Sequence, residues 1–473
     1  MNDAAHLRHA EAALLALAIA LGVGYLAAAI GPVVLLLALA ATACACLTVR
    51  RDWLAPAVMF ICVAVPAGYP FELAFRVPLR FASISLTEGM LTLALVATIG
   101  ARPKLPGDED YRFSPWARVA LVGMLLSILL GLVVGVAYGQ ATRGEVRDVR
   151  PLFLYAAALL PLVPNRRVHF HRLLTMLVLG MTFIAALQVA CLAVSPLHQF
   201  FLADRLRVWF GNGVLYPLAL PLAIALALQA NRLRRVYFWV SCAVVIVTGL
   251  TLSQTRSHWI LTLLSLAVFG LLVLLRRGRV RRSVLGVSAS LCVVLTAAGL
   301  FIVLAGGGGL ARSAVDGLLL RAKTLRNPGQ DSSLSTRAIQ VGPANAMILS
   351  HPLVGTGLGT TFQLRGRSGL VYSTSGAYVD NVLQTLLVKV GVLGATPFVL
   401  FWFLAGRRAW RLRWMGTPVA AACAASVPGM AVMLFASSYL VAGSQIAAIA
   451  LLAGVLLRGR DSAIDSRDGA LRG

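Results

Sequence analysis

Arginine is the residue type in this chain best placed to do chemistry. Arg76 and Arg80, Arg143, Arg147 and Arg150, Arg205 and Arg207, and Arg256 stand at the edges of apolar stretches. Arg312, Arg321, Lys323, Arg326, Arg337, Arg365 and Arg367 follow in a longer polar segment. A guanidinium offers a planar fork of donors that matches phosphate oxygens in pairs, and it keeps its charge at any working pH. The carboxylates interspersed with these residues are fewer: Glu72, Glu88, Glu145, Asp148, Asp204, Asp316, Asp331 and Asp380. Two uses of the surplus stand open. One is a pyrophosphate held at a membrane interface; the other is anionic lipid headgroups and local ion pairs, such as Glu145 with Arg143 and Asp148 with Arg147. The second is weakest for Arg256, which sits in the short connection Ser253-Gln254-Thr255-Arg256-Ser257-His258-Trp259, where a charge beside apolar spans is costly unless used.

The elements that must position these residues are membrane helices. Hydrophobic residues make up 59% of the chain and charged ones 12%, a balance outside the range of soluble domains. A bilayer-spanning helix needs roughly 20 mostly apolar residues. Apolar stretches run over 11–29, 32–49, 53–68, 85–101, 115–138, 151–164, 171–195, 214–230, 236–252, 257–275, 283–304, 383–405, 417–435 and 438–457. The expected fold is all-α and polytopic, with about 12 to 14 transmembrane helices.

Short cytoplasmic loops carry the excess of Lys and Arg, and alternate connections here do so. They hold Arg50 and Arg51; Arg102 and Lys104; Arg166 and Arg167; Arg232, Arg234 and Arg235; Arg276 to Arg282; Arg407 to Arg413; and Arg458 and Arg460. This alternation predicts cytoplasmic termini, a retained N-terminal signal anchor and one large extracytoplasmic segment. The chain divides into helices over 1–304, a loop over 305–382, and C-terminal helices with a cytoplasmic tail over 383–473. Within the loop, Arg312 to Leu325 and Thr336 to Ser350 have helical spacing, with a disturbance at Gly342 and Pro343, and a glycine-rich stretch covers His351 to Thr360. The seven cysteines all fall in apolar stretches, a packing pattern with no metal or disulfide framework.

Three stretches resemble the superfamily of O-antigen ligases and Wzy-type polysaccharide polymerases of the bacterial inner membrane. The first is Ser253-Gln254-Thr255-Arg256-Ser257-His258-Trp259, like the family's Ser-x-x-Arg-x-x-Trp. The second is Ser335-Thr336-Arg337 followed by His351-Pro352-Leu353-Val354-Gly355-Thr356-Gly357-Leu358-Gly359. The third is Asp380-Asn381 followed by Gly391-Val392-Leu393-Gly394.

The resemblance implies a GT-C-like, metal-independent glycosyltransferase without a cofactor. Its donor is a glycan on undecaprenyl diphosphate, and its acceptor is a glycan or lipid-linked glycan hydroxyl. The setting is membrane lipid, with polysaccharide assembly proteins as further partners and no nucleic acid. Catalytic roles carry over to Asp380, Arg256 and Arg337. Substrate-binding roles carry over to Arg205, Arg207, Arg147, Arg150, His351, Gly355, Gly357 and Asn381. Ligases that load O-antigen onto lipid A-core have His-Asn where this chain has Asp380-Asn381, which favours a polymerase and keeps the ligase as the alternative. Asp380 reads either as a base for the acceptor hydroxyl or as a helix cap. His351 reads either as a catalytic group or as an anchor for the glycine turn. Lys389 departs from the family, which often has a carboxylate there. A lipid-linked oligosaccharide transporter is the alternative of another class, but such proteins place ionisable groups at mid-membrane in related halves. Here Glu88 and Lys389 are the ionisable residues that fall clearly within a candidate span, others such as Arg118 and Arg172 lying near span ends, and neither falls in a repeat.

Overall fold

A computed structural model describes residues 54–65, 76–78, 83–99, 113–140, 142–162, 170–193, 211–275, 332–361, 363–365, 371–373, 379, 381–436 and 445–458. Among these, seven helices are long and apolar enough to cross a membrane: Pro115–Ala137, Phe170–Ala190, Asn212–Gln229, Leu233–Ser253, Arg256–Leu274, Val382–Trp414 and Pro418–Phe435. Each coincides with an apolar stretch of the sequence, and the chain is an all-α, multi-pass membrane protein. The stretches 11–29, 32–49 and 283–304 lie outside the described residues, as does all of 305–331.

In chain order the helices are α1 (Leu54–Ala64), α2 (Leu86–Ile99), α3 (Pro115–Ala137), α4 (Thr142–Phe153), α5 (Phe170–Ala193), α6 (Tyr216–Gln229), α7 (Leu233–Ser253), α8 (Arg256–Leu274), α9 (Ser332–Ser350), α10 (Val382–Arg411), α11 (Pro418–Ala436) and α12 (Ile446–Leu457). Two three-residue antiparallel ribbons join them. Strand β1 (Arg76–Pro78) pairs with β2 (Ser83–Ser85), and β3 (Gln363–Arg365) with β4 (Val371–Ser373).

One apolar stretch folds differently from expectation. Residues 154–162 do not continue as an α-helix: Leu154–Leu162 is a 3-10 segment that follows Pro151 of the preceding helix and contains Pro161. Proline lacks the N–H that α-helical bonding needs. The segment is instead fixed by packing. Ala158 lies against Gly454 of α12, and Tyr155 meets Phe398, Phe401 and Trp402 of α10 edge-on while its hydroxyl accepts from Trp402 Nε1 at 3.0 Å.

Helix α6 lies at the centre of the described helices. It is apolar all round, as a fully surrounded helix must be, and Tyr216 to Ala227 are buried without interruption. Helices α5, α7, α8 and α11 pack around it. A second group joins α3 to α10 through small residues. Gly123, Ser127, Gly131 and Gly135 recur at i, i+4 on one face of α3, so the backbone of α3 can approach its neighbours closely. A Cβ on Gly123 would come within 2.8 Å of Pro397, and one on Gly131 within 2.9 Å of Val390.

Candidate functional site

Helix α10 is broken near its start, and the break organises the site. Gly391 has φ 62 and ψ −170, a conformation essentially restricted to glycine. The break releases backbone donors that the loop after α9 uses. Val392 N–H donates to Pro352 O at 2.9 Å, and Leu393 N–H to Leu353 O at 3.1 Å.

The loop then threads between α3, α4 and α10 with its own donors spent in turn. Thr356 N–H donates to Val388 O at 2.8 Å, Gly357 N–H to Lys389 O at 3.0 Å, and Leu358 N–H to Gly131 O at 2.8 Å. Gly359 N–H donates to Asp148 Oδ2 at 2.8 Å. Gly355 to Thr360 are all buried. Gly357 has φ 88 and lies so close to Gly135 that a side chain has no room. The glycines therefore serve backbone contact with the protein itself, and their neighbours' N–H groups are turned to protein acceptors rather than to solvent. His351 stands at the rim, where Tyr138 OH and His351 Nδ1 are 3.2 Å apart and the two rings 5.0 Å apart.

Helix α4 supplies the charges. Its sequence sets Glu145, Asp148 and Leu152 at i, i+3 and i+7, and all three are buried. Arg147 and Arg150 fall between them and are partly exposed. The helix thus turns its carboxylates into the protein and keeps Arg147 and Arg150 partly exposed. Asp148 forms a buried ion pair with Lys389 of α10, the two side chains being 0% and 5% exposed. Arg147 Nε reaches the other oxygen of Asp148 only at 3.4 Å. Arg150 is tied in a two-pronged contact to Glu88 of α2, Nε to Oε1 at 2.7 Å and Nη2 to Oε2 at 2.6 Å. Close approach seats α4 on the loop: a Cβ on Gly144 would come within 2.9 Å of Gly359 O.

Arg256 is the first residue of α8, one step after a tight turn from α7. Gln254 occupies the left-handed region at φ 47 and ψ 26, which is uncommon for a residue with a side chain. Local bonds hold the turn there. Ser253 Oγ donates to Leu250 O at 2.7 Å, Thr255 Oγ1 to Ser253 O at 3.0 Å, and Trp259 Nε1 to Leu250 O at 2.8 Å. Thr255 gives α8 no side-chain cap, and Arg256 is the first residue of the helix, at its positive end.

Asn381 is the N-cap of α10. Its Oδ1 accepts from Gln384 N–H at 3.2 Å, and Gln384 Nε2 donates to Asn345 Oδ1 of α9 at 3.1 Å. Val379 is buried, with both backbone groups bonded to Thr385 Oγ1. The capping position is therefore taken by Asn381, and the capping reading of Asp380 loses its place. Asp380, Arg205 and Arg207 lie outside the described residues. Arg337 is on α9, which packs on α10.

The described contacts gather Arg147, Arg150, His351, Gly355, Gly357 and Asn381 around α3, α4 and α10, while Arg256 stands on the α7–α8 turn beside α6. The sequence reading left Tyr138 and the Asp148–Lys389 pair out of the site. The signal for the pair was present, since a lysine inside an apolar helix demands a partner. Among the described residues no cluster of His, Cys, Asp and Glu is arranged to hold a metal. A search of curated proteins finds no match. Residues 241–399 match the protein-family model described as O-antigen ligase, a stretch that takes in Arg256, α9, the glycine loop and the break in α10. The match covers about a third of the chain and, set in a multi-pass helical membrane protein, supports its likeness to the O-antigen ligase and Wzy-type polymerase superfamily.

Proposed function

We propose that the protein is a glycosyltransferase that moves a glycan from undecaprenyl diphosphate to an acceptor sugar hydroxyl at the extracytoplasmic face of the bacterial inner membrane, acting as a polysaccharide polymerase. The family match over 241–399 carries this reading, because it contains both Arg256 and Arg337. The donor brings its own activation. The acceptor oxygen attacks the anomeric carbon, the bond from that carbon to the diphosphate oxygen breaks, and the electron pair leaves with undecaprenyl diphosphate. Asp380 takes the acceptor proton, which completes the balance without a metal. Arg256, at the positive end of α8, and Arg337 stabilise the negative charge that grows on the diphosphate. Arg147 and Arg150 on α4, with Arg205 and Arg207, complete the basic surface that meets the donor. In this scheme the loop from His351 through Gly357 acts by fixing α10 against α3 and α4, and Asn381 by starting α10 beside Asp380.

Asp380 in place of the histidine of ligases supports the polymerase over transfer to lipid A-core. The experiment supplies a purified undecaprenyl diphosphate-linked repeat unit and follows both chain length and acceptor. Growth of the lipid-linked glycan is expected, with loss of transfer in Arg256→Ala and Arg337→Ala at normal protein levels and partial rescue by Lys, which lacks the fork. Transfer only to lipid A-core would establish the ligase. Movement of the intact lipid-linked glycan across the bilayer without transfer would establish a transporter. Full activity in both Ala variants would remove these arginines from the mechanism.

A further inference from the structure

Lys389 places a charge inside an apolar helix, and the carboxylate it engages governs what a neighbouring arginine is able to do. Asp148 has one carboxylate and three donors around it. Lys389 Nζ and the Gly359 N–H, at 2.8 Å, share Oδ2, while Arg147 Nε lies 3.4 Å from Oδ1. That last contact is long beside the roughly 2.7–2.9 Å of a charge-assisted bond. The Arg147 side chain as a whole is 36% exposed while Asp148 is fully buried, and Arg147 Nη2, itself a buried atom, has no hydrogen-bond partner among the described residues. The other carboxylate on α4, Glu145, is buried against Gly135 and Gly359.

We propose that Lys389 is a positioning residue which, by engaging Asp148, withholds that carboxylate from Arg147 and leaves the Arg147 guanidinium to bind the diphosphate of the donor. Without Lys389, the carboxylate would have one charged neighbour left, and Arg147 would fold onto it. The arginine fork would then be occupied by the protein instead of by substrate. This rests on the reading of α4 as part of the donor surface.

The test uses the purified full-length protein in nanodiscs with an undecaprenyl diphosphate-linked oligosaccharide, reading donor KM and kcat separately beside the thermal midpoint. Lys389→Met is expected to raise donor KM about tenfold, the loss of one charge-assisted hydrogen bond, with a smaller change in kcat. Asp148→Asn, whose amide oxygen still accepts from Gly359, is expected to leave donor KM within about twofold even if the midpoint falls, because no carboxylate is left to capture Arg147. Adding Lys389→Met to Arg147→Ala should raise KM no further, since both act through one guanidinium. Equal KM rises in Lys389→Met and Asp148→Asn would mean that the ion pair serves only as scaffold, and would overturn the proposal. So would additive effects of Lys389→Met and Arg147→Ala. An unchanged donor KM in Arg147→Ala sinks the donor reading of α4 and this inference with it, whereas a raised KM there with none in Lys389→Met sinks the inference alone. Should Lys389→Met give no folded protein, Lys389→Arg takes its place. It keeps a cation on Asp148, so donor KM should stay near wild type, and a rise matching that of Arg147→Ala would refute the role.

Discussion

Replacing Gly391 by alanine should undock the glycine loop from α10. The backbone there, φ 62 and ψ −170, is strained for any residue with a Cβ, at a cost of about 1–3 kcal/mol. A Cβ would also run into the Leu353 carbonyl and come within 2.5 Å of Val354 N, so the loop has to move. Moving it breaks the bonds from Val392 N–H to Pro352 O and from Leu393 N–H to Leu353 O, each worth about 0.5–1.5 kcal/mol net. Together these give a destabilisation of about 2–6 kcal/mol, by addition of the strain and the two bonds. Gly406 in the same helix is the control, because a Cβ there meets only Val427 Cγ1 at 3.6 Å. Gly406→Ala should be neutral or stabilise by up to about 1 kcal/mol through helix propensity. The assay is the thermal midpoint in nanodiscs, read beside hydrogen exchange at the amides of 356–359, 392 and 393. Equal midpoints and equal exchange in the two variants would refute the claim that the break is clamped by the loop.

Asn381→Ala should cost about 0.5–2 kcal/mol of stability through loss of the α10 cap, whereas Asp380→Asn should leave stability unchanged and remove most glycan transfer; an active Asp380→Asn protein removes the base. Reporters fused after Gly329 and Gly369 should read extracytoplasmic and those after Arg279 and Arg411 cytoplasmic, and a cytoplasmic signal at Gly369 would end the external-site scheme. Glu88→Gln should release Arg150 from its two-pronged contact and lower the thermal midpoint, since the pair is only 21% and 13% exposed; an unchanged midpoint would mark it as an idle surface pair.

The helices were legible because length and apolarity decide them, and the seven long ones fall where the sequence puts them. The 3-10 segment at Leu154–Leu162 was not, since its residues are as apolar as a span and only the prolines at 151 and 161 hint otherwise. Around the site what was missed follows chain distance. The pairing of Asp148 with Arg147, its neighbour in sequence, is present at 3.4 Å, but the partner that buries Asp148, Lys389, lies on another helix and was not foreseen. Asp380 and Asn381 are equally good caps by residue type, and only the extended backbone of Asn381, φ −154 and ψ 122, decides between them. The glycines of the loop announced close approach, but residue types alone do not say whether a ligand or another helix does the approaching.

The pairing of Lys389 with Asp148 also bears on voltage. A lone charge within the membrane feels the transmembrane potential, about 2.3 kcal/mol per elementary charge for each 100 mV crossed. The contact between Lys389 and Asp148 makes a compact, neutral unit, on which the field exerts no net force. The seat of the glycine loop on α10 is therefore held alike in energised and de-energised membranes, and no work is drawn from or lost to the potential when that seat is occupied.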